Sequence, residues 1–201
     1  QSLTPNFAMG QQVTPDHPDL NAEYLEYPSP NGNGRLRGYL VTPKQLAEKL
    51  PLVLVVHENR GLNPHIEDVA KAFAWTHANI AKYGGRADRI FVAGHSAGGH
   101  LTSLLAANPE YLKKHNLSSK NIRGIIPISG VYDIPAGMFP KIFPGTADAL
   151  KPASPVKNLT AGGPPALVIY ADQDYAGLDL LAKQYTAKLG ELKTQATLEL
   201  I

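Results

Sequence analysis

The stretch that decides the fold is residues 90–107, IFVAGHSAGGHLTSLLAA. Its apolar start, Ile90–Ala93, predicts a short buried strand. The glycines that follow predict a sharp turn, and the residues after them predict a helix from Ala97 to about Ala107 with its leucines facing inward. A strand that runs through a tight turn into a helix places Ser96 at the apex of that turn.

The turn itself, Gly94-His95-Ser96-Ala97-Gly98, fits the G-x-S-x-G pattern of a nucleophile elbow. Glycine at the first and last positions leaves room for neighbouring backbone where the chain reverses. Ser96 would then lie exposed above the sheet at a helix N-terminus, where partial positive charge favours a developing oxyanion. We therefore predict that Ser96 is a catalytic nucleophile and that the Ala97 N–H is an oxyanion donor. The alternative is a glycine-rich turn with an idle serine.

The other elements alternate between strand and helix. Apolar runs predict further strands, and helical spacing predicts two more helices. The strands are 52–56, 122–128, 166–171 and 197–201, and the helices are 66–83 and 178–192. A turn-rich segment predicts a hairpin of strands 23–27 and 36–41. The order predicts an α/β fold with a mainly parallel sheet and helices on both faces. We expect residues 1–22 to form an arm and 23–201 a single domain.

Composition and charge narrow the class of protein. The chain has 201 residues, of which 43% are hydrophobic and 18% charged, which is typical of a globular protein. Its formal net charge is only +2 with scattered basic residues, which disfavours nucleic acid as a partner. No apolar run approaches the ~20 residues of a membrane helix. The chain has no cysteine, which excludes disulfides and thiol nucleophiles, and we predict no metal and no organic cofactor. Because the sequence starts with Gln1 and a polar segment, it weakly favours a secreted or periplasmic location.

A second oxyanion donor is expected in the loop after strand 52–56. The candidate is the backbone N–H of Asn59, with Glu58 as the alternative, although this loop could instead only shape the pocket. Glu58 and His95 are also candidates for the pocket wall. Aromatic side chains are further candidates for an apolar wall, and covering the core is an equally good interpretation of them. These aromatic residues are Tyr132, Phe139 and Phe143.

The acid of a catalytic triad is expected after a late strand. In proteins with a G-x-S-x-G nucleophile elbow, the triad residues follow in the order Ser, then Asp or Glu, then His. Strand 166–171 is followed by Asp172-Gln173-Asp174. Asp174 is our candidate and Asp172 the second choice. Asp133, after Gly130-Val131-Tyr132, is a weaker candidate.

The chain resembles the α/β-hydrolases in two stretches. Residues 24–71 resemble the dienelactone hydrolase family, most specifically at VVHENRGLNPHIEDVA, 55–70. Residues 72–201 resemble the carboxylesterase branch that includes kynurenine formamidase-like and feruloyl-esterase-like proteins. The motifs there are AWTHANIAKYGG (74–85), the elbow, ISGVYD (128–133) and ASP (153–155).

This resemblance implies a three-layer α/β-hydrolase fold and an esterase that works through an acyl-enzyme. It supports Ser96 as nucleophile, Asp174 as acid, and Asn59 and Ala97 as oxyanion donors. The dienelactone branch usually carries a cysteine nucleophile, whereas Ser96 follows the esterase pattern.

The first departure from the family pattern is the general base. In that pattern a histidine follows the strand after the acid, on a C-terminal loop. All seven histidines of this chain precede Asp174: His17, His57, His65, His77, His95, His100 and His115. Some of these could border the pocket, but their order and expected geometry disfavour them as the base. We therefore expect the base to lie outside these 201 residues.

The second departure is a missing helix–strand unit. After strand 52–56 the family has a helix, a strand and another helix before the elbow strand, whereas residues 66–83 predict one helix. The loss predicts either re-pairing of the flanking strands or a break in the sheet. Residues omitted from the sequence would explain both departures, and a truncated pseudoenzyme is the competing explanation.

Taken together, the sequence predicts a serine hydrolase that cleaves small carboxylic esters through an acyl-enzyme on Ser96. One alternative is a non-catalytic binding protein on a hydrolase scaffold. Another is a hydrolase of amide, arylformamide or peptide acyl bonds, which the same triad would serve. The expected partner is a small ester, and the substrate and oligomeric state are not predicted.

Overall fold

The computed structural model describes residues 16–29, 34–57, 65–137, 143 and 145–201. Two compact units make up the chain, Gln1–Lys49 and Leu50–Ile201. The expected division into an arm of residues 1–22 and a domain of 23–201 stays a prediction. The first strand begins at Leu20, inside the expected arm.

The first unit contains the predicted hairpin. Strands β1 (Leu20–Ser29) and β2 (Gly34–Pro43) pair antiparallel, with Tyr24 opposite Tyr39. The two tyrosine rings lie 5.0 Å apart between centroids. The guanidinium of Arg37 lies 4.1 Å from the Tyr24 ring centre, a cation–π contact that supports the cross-strand pair.

The second unit is built on an all-parallel sheet of five strands, in the order β3-β4-β5-β6-β7. The strands are β3 (Leu50–Val56), β4 (Gly85–His95), β5 (Ile122–Ile128), β6 (Ala166–Tyr170) and β7 (Ala196–Leu200). Each predicted strand is therefore present, and the predicted mainly parallel α/β fold is confirmed. Parallel strands are usually covered by helices on both faces, which fits the continuous apolar runs in β6 (ALVIY) and in the second half of β4 (IFVA).

Helices connect these strands. They are α1 (His65–Asn79), α2 (Ala97–Ala107), α3 (Pro109–Lys113), α4 (Ala147–Leu150), α5 (Pro155–Asn158) and α6 (Leu178–Glu191). Helix α1 buries Ile66, Ala70 and Phe73 completely, as its spacing predicted. A 3₁₀ turn extends it to Tyr83, and Gly84 ends it with a φ of 80°. No helix in the described ranges is long and apolar enough to cross a membrane.

The predicted gap in the family pattern is visible at β3. In the described part of the chain, α1 and its 3₁₀ turn are the elements between β3 and β4. Strands β1 and β2 form their own two-stranded sheet, and β3 lies at the edge of the five-stranded sheet. Whether the flanking strands re-pair or leave a break stays a prediction. Val53 and Val55 on β3 are 50% and 67% exposed, which is unusual for valines of a parallel sheet.

Helix α2 is the central helix of the second unit, because every residue from Gly98 to Ala107 is buried. His100 fixes it to the segment before α5. Its Nε2 donates to the Ala153 carbonyl oxygen at 2.8 Å, and its ring meets that of Phe143 edge-on at 5.9 Å. Burial lowers the pKa of His100, against the opposing effect of this hydrogen bond. The imidazole is thus a neutral donor in the folded protein.

Because His100 is buried, we expect the free energy of unfolding to fall at mildly acidic pH. An unfolded histidine protonates below about pH 6.5, whereas folding lowers the pKa of His100. The unfolded state therefore binds more protons in this range, and the free energy of unfolding falls as the pH drops from about 6.5, by up to about 1.4 kcal/mol per pH unit. His100→Gln keeps an N–H donor but does not titrate. Urea unfolding at several pH values should give a flatter profile for this variant, and parallel profiles would contradict the prediction.

Phe143 is 8% exposed and packs with Ile134, Leu150 and Ala153. For this residue the structure favours the core-covering interpretation over a place in the pocket wall. Phe139 lies outside the described residues.

Candidate active site

The candidate nucleophile lies at the junction of β4 and α2. Ser96 has φ 54° and ψ −116°, a backbone conformation that a residue with a Cβ rarely adopts. Its N–H donates to the Ile128 carbonyl oxygen at the end of β5, at 2.9 Å. Ser96 and the preceding His95 are exposed. The strained apex is thus held by β5 and is exposed to solvent, and the catalytic role of Ser96 stays a prediction.

The glycines of the elbow are explained by close backbone approaches. A Cβ on Gly94 would overlap the backbone of Gly98, and a Cβ on Gly98 would overlap the carbonyl oxygen of Val56. A Cβ on Gly99 would lie 2.9 Å from the Ile128 carbonyl oxygen. The start of α2 therefore packs against the ends of β3 and β5, and only glycine permits that contact.

Ala97 is the first residue of α2. The first N–H groups of a helix have no acceptor within the helix, and they lie at the positive end of its dipole. This position suits Ala97 for the predicted oxyanion role. The other candidate donor, Asn59, and its alternative Glu58 lie outside the described residues, so this part of the oxyanion hole stays a prediction.

The candidate acid, Asp174, follows β6. Its Oδ2 accepts two hydrogen bonds, from the Ala171 N–H at 2.9 Å and from the Ser129 hydroxyl at 2.7 Å. The side chain is half-buried. These bonds fix one carboxylate oxygen at the carboxyl end of the sheet, close to the ends of β5 and β6.

The two other candidate acids have different surroundings. Asp172 is exposed, and its Oδ2 accepts from the Gln173 side-chain amide at 3.3 Å. Asp133 forms an ion pair with Lys157 at 3.1 Å. Asp174 is thus the one of these three carboxylates whose side chain is held by the neighbouring strand ends.

Sheet topology brings the candidate residues to one edge. Strands β4, β5 and β6 are neighbours, with His95 paired to Ile128 and Ile128 paired to Ile169. The carboxyl ends of parallel strands meet at one edge of a sheet, which is where α/β proteins place their sites. Ser96 and Asp174 therefore both follow strands that end at this edge.

Ser129 is the residue that the sequence analysis missed. In the sequence it is part of the ISGVYD motif, which predicts no role for it. Its position directly after β5 could have indicated a role in the site. Strand β5 neighbours β4, so a polar residue after β5 lies at the same sheet edge as Ser96.

Tyr132, a candidate for the pocket wall, is completely buried. Its ring stacks on Tyr185 with centroids 4.4 Å apart and an interplanar angle of 10°. Its hydroxyl accepts from the Gly130 N–H at 3.3 Å, and burial raises its pKa well above the usual range. The ring is therefore packed in the core, which favours the core-covering interpretation. His95, another candidate for the pocket wall, is exposed at the end of β4.

No general base is visible beside these residues. Within the described ranges, no histidine ring hydrogen-bonds to the side chain of Ser96 or Asp174. His100 is bound to Ala153, and His77 lies 3.5 Å from the Asn121 amide. The same part of the chain holds no group of three or more acidic and histidine side chains placed to bind a metal ion. The site as described therefore contains the candidate nucleophile, the candidate acid and one of the two candidate oxyanion donors.

Comparison with solved structures identifies the fold. An esterase from the archaeon Pyrobaculum calidifontis aligns with a TM-score of 0.74, over 90% of this chain and 75% of that one, at 20% identity. The chain therefore has the α/β-hydrolase fold found in esterases. The BD-FAE family model matches residues 56–177, more than half of the chain. The protein belongs to the BD-FAE family.

Two relatives extend the comparison. An Escherichia coli (strain K12) protein named as a hydrolase fragment, YghX, is 58% identical over 36% of this chain and 62% of its own length. Esterase LipC of Mycobacterium tuberculosis is 32% identical over 72% of this chain. The chain spans 62% of the first and 41% of the second. The dienelactone hydrolase resemblance of residues 24–71 stays a prediction.

Proposed function

We propose that the protein hydrolyses small carboxylic esters, with Ser96 as the nucleophile. The observation that carries this proposal is the placement of Ser96, an exposed hydroxyl at a strained apex directly before the N-terminus of α2. A φ of 54° is unfavourable for serine, and strained backbone of this kind is concentrated at functional sites. The esterase named among the relatives supports ester over amide substrates.

In the proposed reaction, the Ser96 hydroxyl oxygen attacks the ester carbonyl carbon while a base removes its proton. The carbonyl oxygen gains charge and is stabilised by the Ala97 N–H, with the Asn59 N–H as the expected second donor. The intermediate collapses as the alcohol leaves with the proton from the base. Water then attacks the carbonyl carbon of the acyl-enzyme while the base removes a proton from the water. The base returns this proton to the Ser96 oxygen as the carboxylic acid leaves, which regenerates Ser96.

Asp174 is assigned the orienting role in this mechanism. A carboxylate bound to the far nitrogen of a histidine holds the correct tautomer and stabilises the imidazolium that forms. Such a histidine would bind the carboxylate oxygen of Asp174 that the described residues leave without a hydrogen bond.

A second candidate function is binding without catalysis. The observation that favours it is that no histidine ring among the described residues hydrogen-bonds to the side chain of Ser96 or Asp174. Without a base, Ser96 would be a poor nucleophile, because its proton would have no acceptor in the transition state.

A fluorophosphonate probe separates the two candidates, because it reacts only with an activated serine. For an esterase we expect a mass increase of one probe group on the intact protein, located at Ser96 by peptide mapping. Hydrolysis of p-nitrophenyl acetate should be lost in the labelled sample, and the matching anilide should be a poorer substrate. If the probe does not add and the ester is not cleaved, the binding function is the better account.

A further inference from the structure

We propose that Ser129 is a positioning residue for Asp174, holding one carboxylate oxygen so that the other is aimed at the general base. This inference rests on the proposed function, because it assigns a role to the acid of that mechanism. Ser129 itself would not touch the substrate.

The backbone of Ser129 is set in an uncommon conformation. Its φ is 47°, in the left-handed region that favours glycine, and it is only 4% exposed. Its N–H donates to the Ile169 carbonyl oxygen at 2.8 Å, which ties the residue to β6. A glycine would adopt this turn more easily, so the presence of a serine with a hydrogen-bonded hydroxyl needs an explanation.

The hydroxyl supplies that explanation. The Ser129 hydroxyl donates to Asp174 Oδ2 at 2.7 Å, a charge-assisted bond of the stronger kind. The Ala171 N–H donates to the same oxygen, so Oδ2 is held by donors from two strand ends. Oδ1 has no hydrogen bond within the described residues. A carboxylate fixed by one oxygen presents the other in a defined direction, which is the preorganisation that a triad needs.

Ser129 also lies next to the nucleophile in the hydrogen-bond pattern. The Ser96 N–H donates to Ile128, the residue directly before Ser129. The end of β5 therefore holds the backbone of the nucleophile through one residue and the side chain of the acid through the next. A substitution of Ser129 would therefore remove a hydrogen bond to the Asp174 side chain but keep the hydrogen bond from the Ser96 N–H to the Ile128 carbonyl oxygen.

Kinetics of Ser129→Gly and Ser129→Ala in the full-length protein test the proposal. Ser129→Gly removes the hydroxyl but suits a positive φ, so loss of activity cannot be ascribed to strain. We expect both variants to lower kcat for p-nitrophenyl acetate by about 10- to 100-fold, by analogy with the effect of removing a hydrogen-bond partner of a metal ligand, with KM unchanged. In an Asp174→Ala background, Ser129→Gly should cause no further loss. Asn116→Gly, at another non-glycine residue of positive φ, 57°, is the matched control and should leave kcat unchanged.

Three outcomes overturn the proposal: full kcat in Ser129→Gly, an equal loss with and without Asp174, or a change confined to KM. An inactive wild-type protein would instead count against the proposed function. In that case selective ¹³C-aspartate NMR still tests Ser129. The Asp174 carboxyl resonance should be sharp in the wild type and shifted or broadened in Ser129→Gly, and an unchanged resonance would refute the positioning role.

Discussion

Ser96→Ala is expected to lower kcat for ester hydrolysis by about 10⁴-fold or more and to abolish labelling by a fluorophosphonate. The physical reason is that the hydroxyl oxygen is the atom that forms the acyl-enzyme, and no neighbouring group can replace it. Residual activity would come from the oxyanion donors and substrate binding alone. The measurement is kcat and KM for p-nitrophenyl acetate, with the variant purified beside the wild type.

Stability measurements on the same position provide the control. Alanine has the same difficulty as serine at φ 54°, so Ser96→Ala should unfold at nearly the wild-type temperature. Glycine tolerates this conformation, so Ser96→Gly should be inactive yet more stable than the wild type by about 1 kcal/mol. If Ser96→Ala kept its activity, or if Ser96→Gly were less stable than the wild type, Ser96 would not be a strained nucleophile.

Much of the fold could be predicted, because its elements are coded locally. Helix α2 was predicted at the residues where it occurs, Ala97–Ala107, since glycines mark its start and leucines recur at helical spacing. Strand β4 was predicted too short. Its first residues, Gly85–Arg89, include polar side chains that break the apolar run, but the chain stays extended there because Gly85 pairs with Leu50 across a register shift. That pairing is a tertiary effect that no local pattern contains.

The candidate site was predictable to the extent that it follows chain order. Ser96 comes from a motif and Asp174 from its place after a late strand, and both lie at the same sheet edge. The burial of Tyr132 was not predictable, because it depends on Tyr185, more than fifty residues away, offering a ring to stack on. The hydrogen bond from Ser129 to Asp174 likewise joins residues 45 positions apart. Contacts of this kind depend on which strands become neighbours, and the sequence suggests that order only in outline.

Gly98→Ala is expected to destabilise the fold and the site together. The added Cβ would overlap the carbonyl oxygen of Val56 and lie 3.1 Å from its carbonyl carbon. Both are backbone atoms of a strand, so they cannot move aside as a flexible side chain would. We expect the free energy of unfolding to fall by about 3 kcal/mol, at the upper end of ordinary overpacking. Urea unfolding of the variant and the wild type measures this change.

Gly190→Ala is the matched control for this substitution. Gly190 lies in helix α6, and a Cβ there would meet no atom within 4 Å. Because alanine favours a helix over glycine, this variant should be more stable than the wild type by up to about 1 kcal/mol. The same chemical change is thus expected to have opposite signs at two positions. Equal stabilities for the two variants would show that α2 does not pack closely against the end of β3.

We expect Gly98→Ala to lose activity even in the fraction of the protein that is folded. Relief of the overlap requires the start of α2 to move away from Val56, and Ala97 lies in that first turn. An oxyanion donor acts through short, preorganised hydrogen bonds, so a displacement of about an ångström can cost about 10²-fold in rate. We therefore expect kcat to fall at temperatures where the variant is still folded. A variant that is less stable but fully active when folded would separate the elbow's packing from its catalytic geometry.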